Sequence, residues 1–454
     1  MRFAGKRSRR LALIAGAAAF TTTLGISPIL SPISLASASS ICTTEAAPAW
    51  KAGPRSPLIT CDGAGISATT TTTRPLVARP PAVGVNGVFT VPSSIDSTGA
   101  TEVSTALQEW IASIPAASAA KPMTIQFAKN ATYWSDYTLL LRKRTGNVTG
   151  GIVGNMWRSL PAFDASNVTL DLNGSSIVQR TLQPWRWGSG EVLDPRKRWG
   201  DPMIFTSGAT NVRITNGFLV GSATGNRYDP NREDWMGILI GGDNDDDLAQ
   251  NMKVDNLGIR NVWGDFIYLA SQTSRGKLLK DVTIEDNTMK AAGRHGIVIH
   301  GGNNVLIQRN DFRTVKRFLF DSEPAAVHGW KDVKIASNTG ESGNLGYFQF
   351  IGNKTSAGSG LSITNNSVSK GHLTMEIGNG SESMRIGATI TGNRSLDPAE
   401  FRRNNLHRSL ITISRWSSVN ISNNFNRVVP NSRPFVLDTA RSNATIGVNN
   451  WSGS

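Results

Sequence analysis

One short pattern limits what this chain can fold into. A Val or another apolar residue is followed two positions on by an apolar, usually Ile, and three beyond that by Asn. It appears at Val168–Asn173, Val282–Asn287, Val305–Asn310, Val333–Asn338, Leu361–Asn366, Ala388–Asn393, Val419–Asn424 and Ala444–Asn449, with looser forms at Val212–Asn216 and Met252–Asn256. From Asn287 onward the asparagines stand 23, 28, 28, 27, 31 and 25 residues apart. A length of 454 residues would by itself suggest two or three domains, but an internal repeat overrides that expectation. The unit is too short for a strand–helix–strand motif, which needs about 30 residues plus its connections. It has room for two or three short strands and their turns. The 45 glycines suit a chain with many turns.

A unit of this size cannot bury its own apolar face, so successive units must stack. The expected result is an all-β solenoid, a single-stranded parallel β-helix whose rungs hydrogen-bond at about 4.8 Å. The alternating Val and Ile point inward and form one continuous core. The recurrent Asn sits where the strand turns, tolerates left-handed backbone there, and bonds its amide to the Asn one rung along.

The N-terminal 88 residues lie outside this scheme. Arg2, Lys6, Arg7, Arg9 and Arg10 precede an apolar run, Leu11 to Phe20, and a small-residue stretch ending Ala36-Ser37-Ala38. This is the layout of a secretory signal cleaved after Ala38, so residues 1–38 are read as a signal peptide and the protein as secreted. The formal net charge is +14; removing those five positive charges leaves +9. A basic exported protein favours anionic partners. The arginines are spread and not massed in a tract, so nucleic acid is not expected as a partner. Residues 39–88 are rich in Ala, Thr, Pro and Ser and read as a linker. Its two cysteines, Cys42 and Cys61, are expected to pair as a local staple in an oxidising compartment. No later stretch is long and apolar enough to span a bilayer, so no integral membrane contact is expected.

At residue 89 the pattern changes. Leu107, Trp110, Ile111 and Ile114 fall at helical spacing and predict a short helix, with Thr98 or Thr101 available as its cap. The stretch "IDSTGATEVSTALQEWI" resembles the opening of right-handed parallel β-helix proteins of the pectin-lyase-like superfamily, in which a helix caps the first rung. The later rungs resemble the same group. The resemblance spans residues 89–454 and implies a right-handed β-helix with an N-terminal capping helix. It implies little about activity, because this scaffold carries lyases, hydrolases, epimerases, esterases and tailspikes alike.

Function should then show as polar residues at outward positions of neighbouring rungs. The second strand of each repeat reads Trp235–Ile240, Asp265–Leu269, His295–His300, Phe318–Glu323, Tyr347–Phe350 and Leu373–Ile377. Alternation sends Ile297, Ile299, Phe318, Phe320, Phe348, Phe350, Leu373, Met375 and Ile377 inward. Val298, His300, Asp321, Glu323, Gln349, Thr374 and Glu376 then face outward. Asp321 and Glu323 share one face with Cα atoms about 6.5–7 Å apart. Inverting glycosidases place their two carboxyl groups about 6.5–9.5 Å apart. Glu376 lies two rungs beyond Glu323, roughly 10 Å away, and is an alternative partner. His300 falls beside Glu323 one rung back, where a shared proton would raise a carboxyl pKa as a general acid requires.

The turns leading into these strands form a second layer: Glu233-Asp234, Asp265, Arg294-His295 and Lys316-Arg317. This succession is similar to polygalacturonases, inverting hydrolases of the same superfamily. That resemblance implies roles for Asp234, Asp265 and His295, with Arg294 beside them. "GDF" stands where the paired aspartates would be, "GRHG" adds an arginine, and no Arg-Ile-Lys run follows. A lyase reading stays open beside it, in which Arg294, His295, Lys316, Arg317 or Tyr268 abstracts a proton next to a uronic carboxylate. The alternative for Arg317 is a pair with Asp265 or Asp321. The acidic loop Asp243–Asp247 fails the EF-hand pattern and reads as an exposed loop. The loop 183–202 carries Trp185, Trp187 and Trp199 among arginines, and exposed Trp stacks on sugar rings.

No Gly-rich phosphate loop, Gly-x-Ser-x-Gly elbow or metal-spaced Cys/His cluster appears, so neither a cofactor nor a metal is expected. The expectation is a secreted enzyme cleaving a polysaccharide by hydrolysis. Asp321, Glu323, Asp265, His295 and Arg294 are the catalytic candidates. His300, Glu376, Gln349, Tyr268, Arg317, Trp185 and Trp187 are candidates for binding the polysaccharide substrate. The basic charge favours an anionic polymer. The alternatives are a polysaccharide lyase and a non-enzymatic glycan-binding surface protein.

Overall fold

The computed structural model describes residues 42–45, 58–61 and 84–451. Within the last span it leaves out 143–163, 183–185, 188–190, 193–201, 225–226, 242–248, 272–277, 323–329, 342, 344, 351–357, 371–372, 374, 378–384, 396–410, 428–435 and 439–442. The signal-like segment 1–38, the acidic loop, Trp185 and Trp199 therefore lie outside the described residues, as does Glu323.

Each rung contributes up to three strands. In one rung these are Lys280–Glu285, Thr288–Ala292 and Ile297–Ile299; in the next they are Gly302–Gln308, Asp311–Val315 and Phe318–Ser322. Every strand pairs in parallel with its counterpart one rung on: Val282 with Val305, Met289 with Phe312, Val298 with Asp321. Ten strands form one continuous wall in chain order, from Leu139–Arg142 to Val436–Asp438. The fold is a right-handed parallel β-helix. Stacking pairs each backbone group with a neighbouring rung, so irregular turns are confined to the corners.

The lumen is filled by the alternating apolar residues. Ile284, Ile297, Ile307, Ile335 and Ile363 are wholly buried in one core. Burying each such side chain contributes about 1.5–3 kcal/mol. Phe312, Phe320 and Tyr347 pack edge to face, with centroids 5.2 Å and 5.3 Å apart. The helix Ser104–Ala112 buries Leu107, Trp110 and Ile111 in this same core. It begins after Val103 with no side-chain cap. Thr98 and Thr101 do not cap it, because both hydroxyls donate to Asp96, at 2.6 Å and 3.0 Å.

The asparagines form the ladder that their spacing implies. Asn287, Asn310, Asn338, Asn366, Asn393 and Asn424 each donate from Nδ2 to the Oδ1 of the next asparagine, ending at Asn449, at 2.9, 3.0, 3.0, 2.8, 2.9 and 2.9 Å. Their backbone is not left-handed, which corrects the expectation. The preceding residue takes that conformation: Asp286 at φ 57°, Arg309 at 53°, Ser337 at 55° and Asn365 at 55°. The turn needs one left-handed residue, and placing it first frees the next side chain to enter the stack. In the full copy Val168–Asn173, and in the looser copies, the expectation holds: Asn173, Asn216 and Asn256 are themselves the left-handed residues.

Two expectations concern the linker and the loop 183–202. Cys42 stands opposite Cys61 in the antiparallel pair Cys42–Glu45 and Leu58–Cys61. Trp187 lies in a second small pair, Arg186–Trp187 with Glu191–Val192.

Candidate functional site

The ten-strand wall has an outward row that can be followed by register. It runs Leu140, Phe205, Leu239, Tyr268, Val298, then Asp321, Gln349, Glu376 and Thr412. Its first part is apolar and its later part polar. Leu140, Phe205 and Leu239 form a second buried cluster outside the lumen with Met236 and Ala270, against which Tyr137 and Tyr268 pack. The row turns polar at Asp321.

Asp321 is outward by register but not solvent-exposed; both it and His295 are fully buried. The outward position was legible, whereas burial depends on everything packed around it. His295 Nε2 lies 3.4 Å from Asp321 Oδ2. The ring's other nitrogen, Nδ1, accepts the backbone N–H of Phe318 at 3.2 Å. Because Nδ1 accepts, the neutral ring carries its proton on Nε2, facing the Asp321 carboxylate. Burial, with Arg294 and Arg317 nearby, holds the His295 pKa well below the usual histidine range. Phe318 departs from the predicted inward set. It stacks on His295 with ring centroids 6.2 Å apart and planes 12° from parallel. Leu319 takes its place in the lumen core beside Phe320. Phe318 opens its strand, and Leu319 and Phe320 both enter the lumen core, so the two-residue period breaks at this strand's start.

Asp265 fixes this arrangement from the rung before. It is fully buried and accepts the His295 backbone N–H at 2.8 Å and Arg294 Nη1 at 3.0 Å. Asp265 is thus committed to holding its neighbours. Gly264 precedes it because a Cβ there would meet the Glu233 carbonyl oxygen at 2.1 Å. Arg294 Nε also lies 3.6 Å from Glu233 Oε2, so one guanidinium bridges two acids. Glu233 in turn accepts the Tyr228 hydroxyl and faces Arg317 Nη1 at 3.9 Å. Arg317 Nη1 donates to the Tyr228 hydroxyl at 3.3 Å and lies over its ring, 5.1 Å from the centroid. Burial, then the bond to Glu233, raises the Tyr228 pKa.

The structure therefore joins Asp265, Arg294, His295 and Asp321, four of the five catalytic candidates. Arg317 joins them through Glu233 and Tyr228, and pairs with neither Asp265 nor Asp321. Gln349 is buried beside Asp321 on the next rung, and Glu376 occupies the register position beyond it. Tyr268 and His300 stack at 5.9 Å and 29°, both half-buried, forming a ring pair on the outward face. His300 gave the expected outward placement; its supposed neighbour Glu323 is outside the described residues. Sequence reasoning passed over Glu233, preferring Asp234, and gave Tyr228 no role. The only signal was the acid pair in the turn before strand Ile238–Gly241. Among the described residues no group of three or more His, Cys, Asp and Glu side chains is placed to hold a metal ion. Nor is any described helix long and apolar enough to cross a membrane.

No protein-family model matches this chain, and no curated protein matches its sequence. Solved structures do. An exopolygalacturonase from Thermotoga maritima matches with a TM-score of 0.48 at 11% identity, over 82% of this chain and 93% of that one. The surface adhesin PfbA of Streptococcus pneumoniae matches with 0.44 at 12%, over 77% and 88%. A tailspike protein of an E. coli bacteriophage, solved with a pentasaccharide, matches with 0.42 at 11%, over 78% and 62%. These are likenesses of outline; the fold itself rests on the strand register above.

Proposed function

We propose that this is an exported, carbohydrate-active β-helix that hydrolyses a polysaccharide lying along the later rungs of the ten-strand wall. The observation that carries this reading is the in-register row Asp321, Gln349, Glu376, with the His295 imidazole against Asp321. Asp321 and Glu376 are two rungs apart, about 9.6 Å between backbones, near the separation that lets two carboxyl groups flank a glycosidic bond and a water. Asp321 faces an N–H and so accepts: it takes the proton of the attacking water. Glu376 gives a proton to the departing glycosidic oxygen. Glu323, two residues after Asp321 in the sequence, competes with Glu376 for the acid role. His295 is a positioning residue, held by Asp265 through its backbone and by Phe318 through Nδ1. The aromatic pair Tyr268 and His300 offers a ring face to a sugar where the row turns polar.

Incubation of the secreted chain with a panel of purified polysaccharides tests this, with reducing ends, product mass and ultraviolet absorbance as readouts. Reducing ends without a new absorbing double bond, lost in Asp321→Asn while binding persists, support hydrolysis. Comparing Glu376→Gln with Glu323→Gln identifies the acid. An absorbing product means elimination, and binding without turnover in the wild type means a glycan-binding protein; either result overturns the hydrolase reading.

A further inference from the structure

The wall formed by the middle strand of each rung carries a different charge pattern. Leu219, Ile259, Met289 and Phe312 enter the lumen core. Alternation therefore turns the residues after them outward: Val220, Arg260, Lys290 and Arg313. Parallel register sets these four side by side on successive rungs. Three cations thus stand in one straight column, with about 4.8 Å between rungs. Arg260 is half-buried and Lys290 is exposed. The adjacent outward column, Gly258, Thr288 and Asp311, supplies a single acid. One corner, Gly293 to Gly296, separates Lys290 from the wall that carries Asp321.

On the strands that open these rungs, cations meet acids. Arg213 Nη2 lies 2.6 Å from Asp255 and Lys253 Nζ 2.7 Å from Glu285. Within the column Arg313 is also matched. Its Nε lies 3.2 Å from Asp311, and one rung on Glu341 accepts the Thr314 N–H at 3.2 Å. Among the described residues Arg260 and Lys290 have no such partner, and the buried Nε of Arg260 has no hydrogen bond. Burial lowers the Arg260 pKa with no carboxylate opposing it, yet a guanidinium keeps its proton. A partly desolvated cation without a counter-charge costs stability, and a bound anion offsets that cost. We propose that Arg260 and Lys290, extended by Arg313, form a strip that binds the acid groups of an anionic polysaccharide laid along the solenoid axis. A linear polymer suits a straight column whose charges repeat at each rung. Duplex nucleic acid suits it less, because such binding commonly rests on six to ten phosphate contacts, roughly, and this strip offers fewer. Binding here needs no turnover, so it is independent of whether the Asp321 row hydrolyses anything.

Equilibrium binding of the full chain to immobilised polygalacturonate, dextran sulfate, uncharged dextran and duplex DNA tests this. Measurement at about 0.15 M salt screens charges more than roughly 8 Å away. We expect binding to polygalacturonate or dextran sulfate and none to dextran; the polymer held more tightly identifies a carboxylate or a sulfate ester as the preferred group. Arg260→Gln should weaken that binding about tenfold, the scale of a hydrogen bond to a charged group. Lys290→Gln should weaken it about threefold, the scale of one exposed charge. Lys290 is exposed, so its variant carries the test even if Arg260→Gln fails to fold. The control is Lys334→Gln, which removes the same charge from an exposed lysine on the strand Trp330–Ala336 and should leave affinity unchanged. An equal loss in Lys334→Gln assigns binding to diffuse surface charge and overturns the proposal. So does unaltered affinity in Lys290→Gln, tighter binding to duplex DNA than to either anionic glycan, or no binding to either.

Discussion

Two corners of the same solenoid follow opposite rules. At one, the chain places Asn in rung after rung, from Asn287 to Asn449, and each amide bonds the next. At the other, the corner leading into the ten-strand wall, no one residue type is kept through the rungs: Gly264-Asp265, Arg294-His295 and Lys316-Arg317 follow one another. Both corners are buried and richly bonded. The repeated one solves the same problem in each rung, satisfying the polar groups of a tight turn. The varied one gathers an acid, two guanidinium groups and an imidazole, a mixture that repetition of a structural need would not produce. Repetition marks what the fold requires, and departure from it marks where chemistry is placed.

That contrast can be tested, starting with the largest effect. Asp321→Asn should lower polysaccharide turnover by about 10²-fold or more, the usual share of a general base, with the circular dichroism spectrum unchanged. An equal loss from a ladder substitution would erase the distinction. Asn338→Ala should cost about 3 kcal/mol in denaturant unfolding, because it strands buried groups on both sides. Asn338 accepts both the backbone N–H and the Nδ2 of Asn310, and donates to the Ile307 carbonyl and to Asn366.

The third prediction concerns pH. His295 is held neutral in the folded protein, its pKa well below the ordinary value. The unfolded chain takes up a proton near pH 6.5 and the folded chain does not. Stability should therefore fall as the pH drops below about 6.5, by about 1.4 kcal/mol for each pH unit. His295→Gln has no such proton to take up, so its unfolding midpoint should lose that slope. Identical slopes would place the titration elsewhere. The smallest effect is expected at the exposed counterpart of the ladder, where Asn304 Nδ2 donates to Asp281 at 2.7 Å. Asn304→Ala should change stability by no more than about 0.5 kcal/mol.

The sequence alone determined the rung and its contents. Spacing too short for a helix crossover forces stacking. Val, Ile and Asn then take fixed places because local alternation and a tight turn depend only on neighbours along the chain. The outward placement of Asp321 and the grouping of Asp265, Arg294 and His295 followed from the same local logic. Tertiary structure decided the rest. It seated Phe318 against His295, because two successive residues, Leu319 and Phe320, both enter the lumen and break the two-residue period. It buried Asp321, because accessibility belongs to the whole assembly. It brought Glu233 and Tyr228 to Arg317, because rungs that touch in space are far apart in sequence, and no local pattern records which turn crosses which.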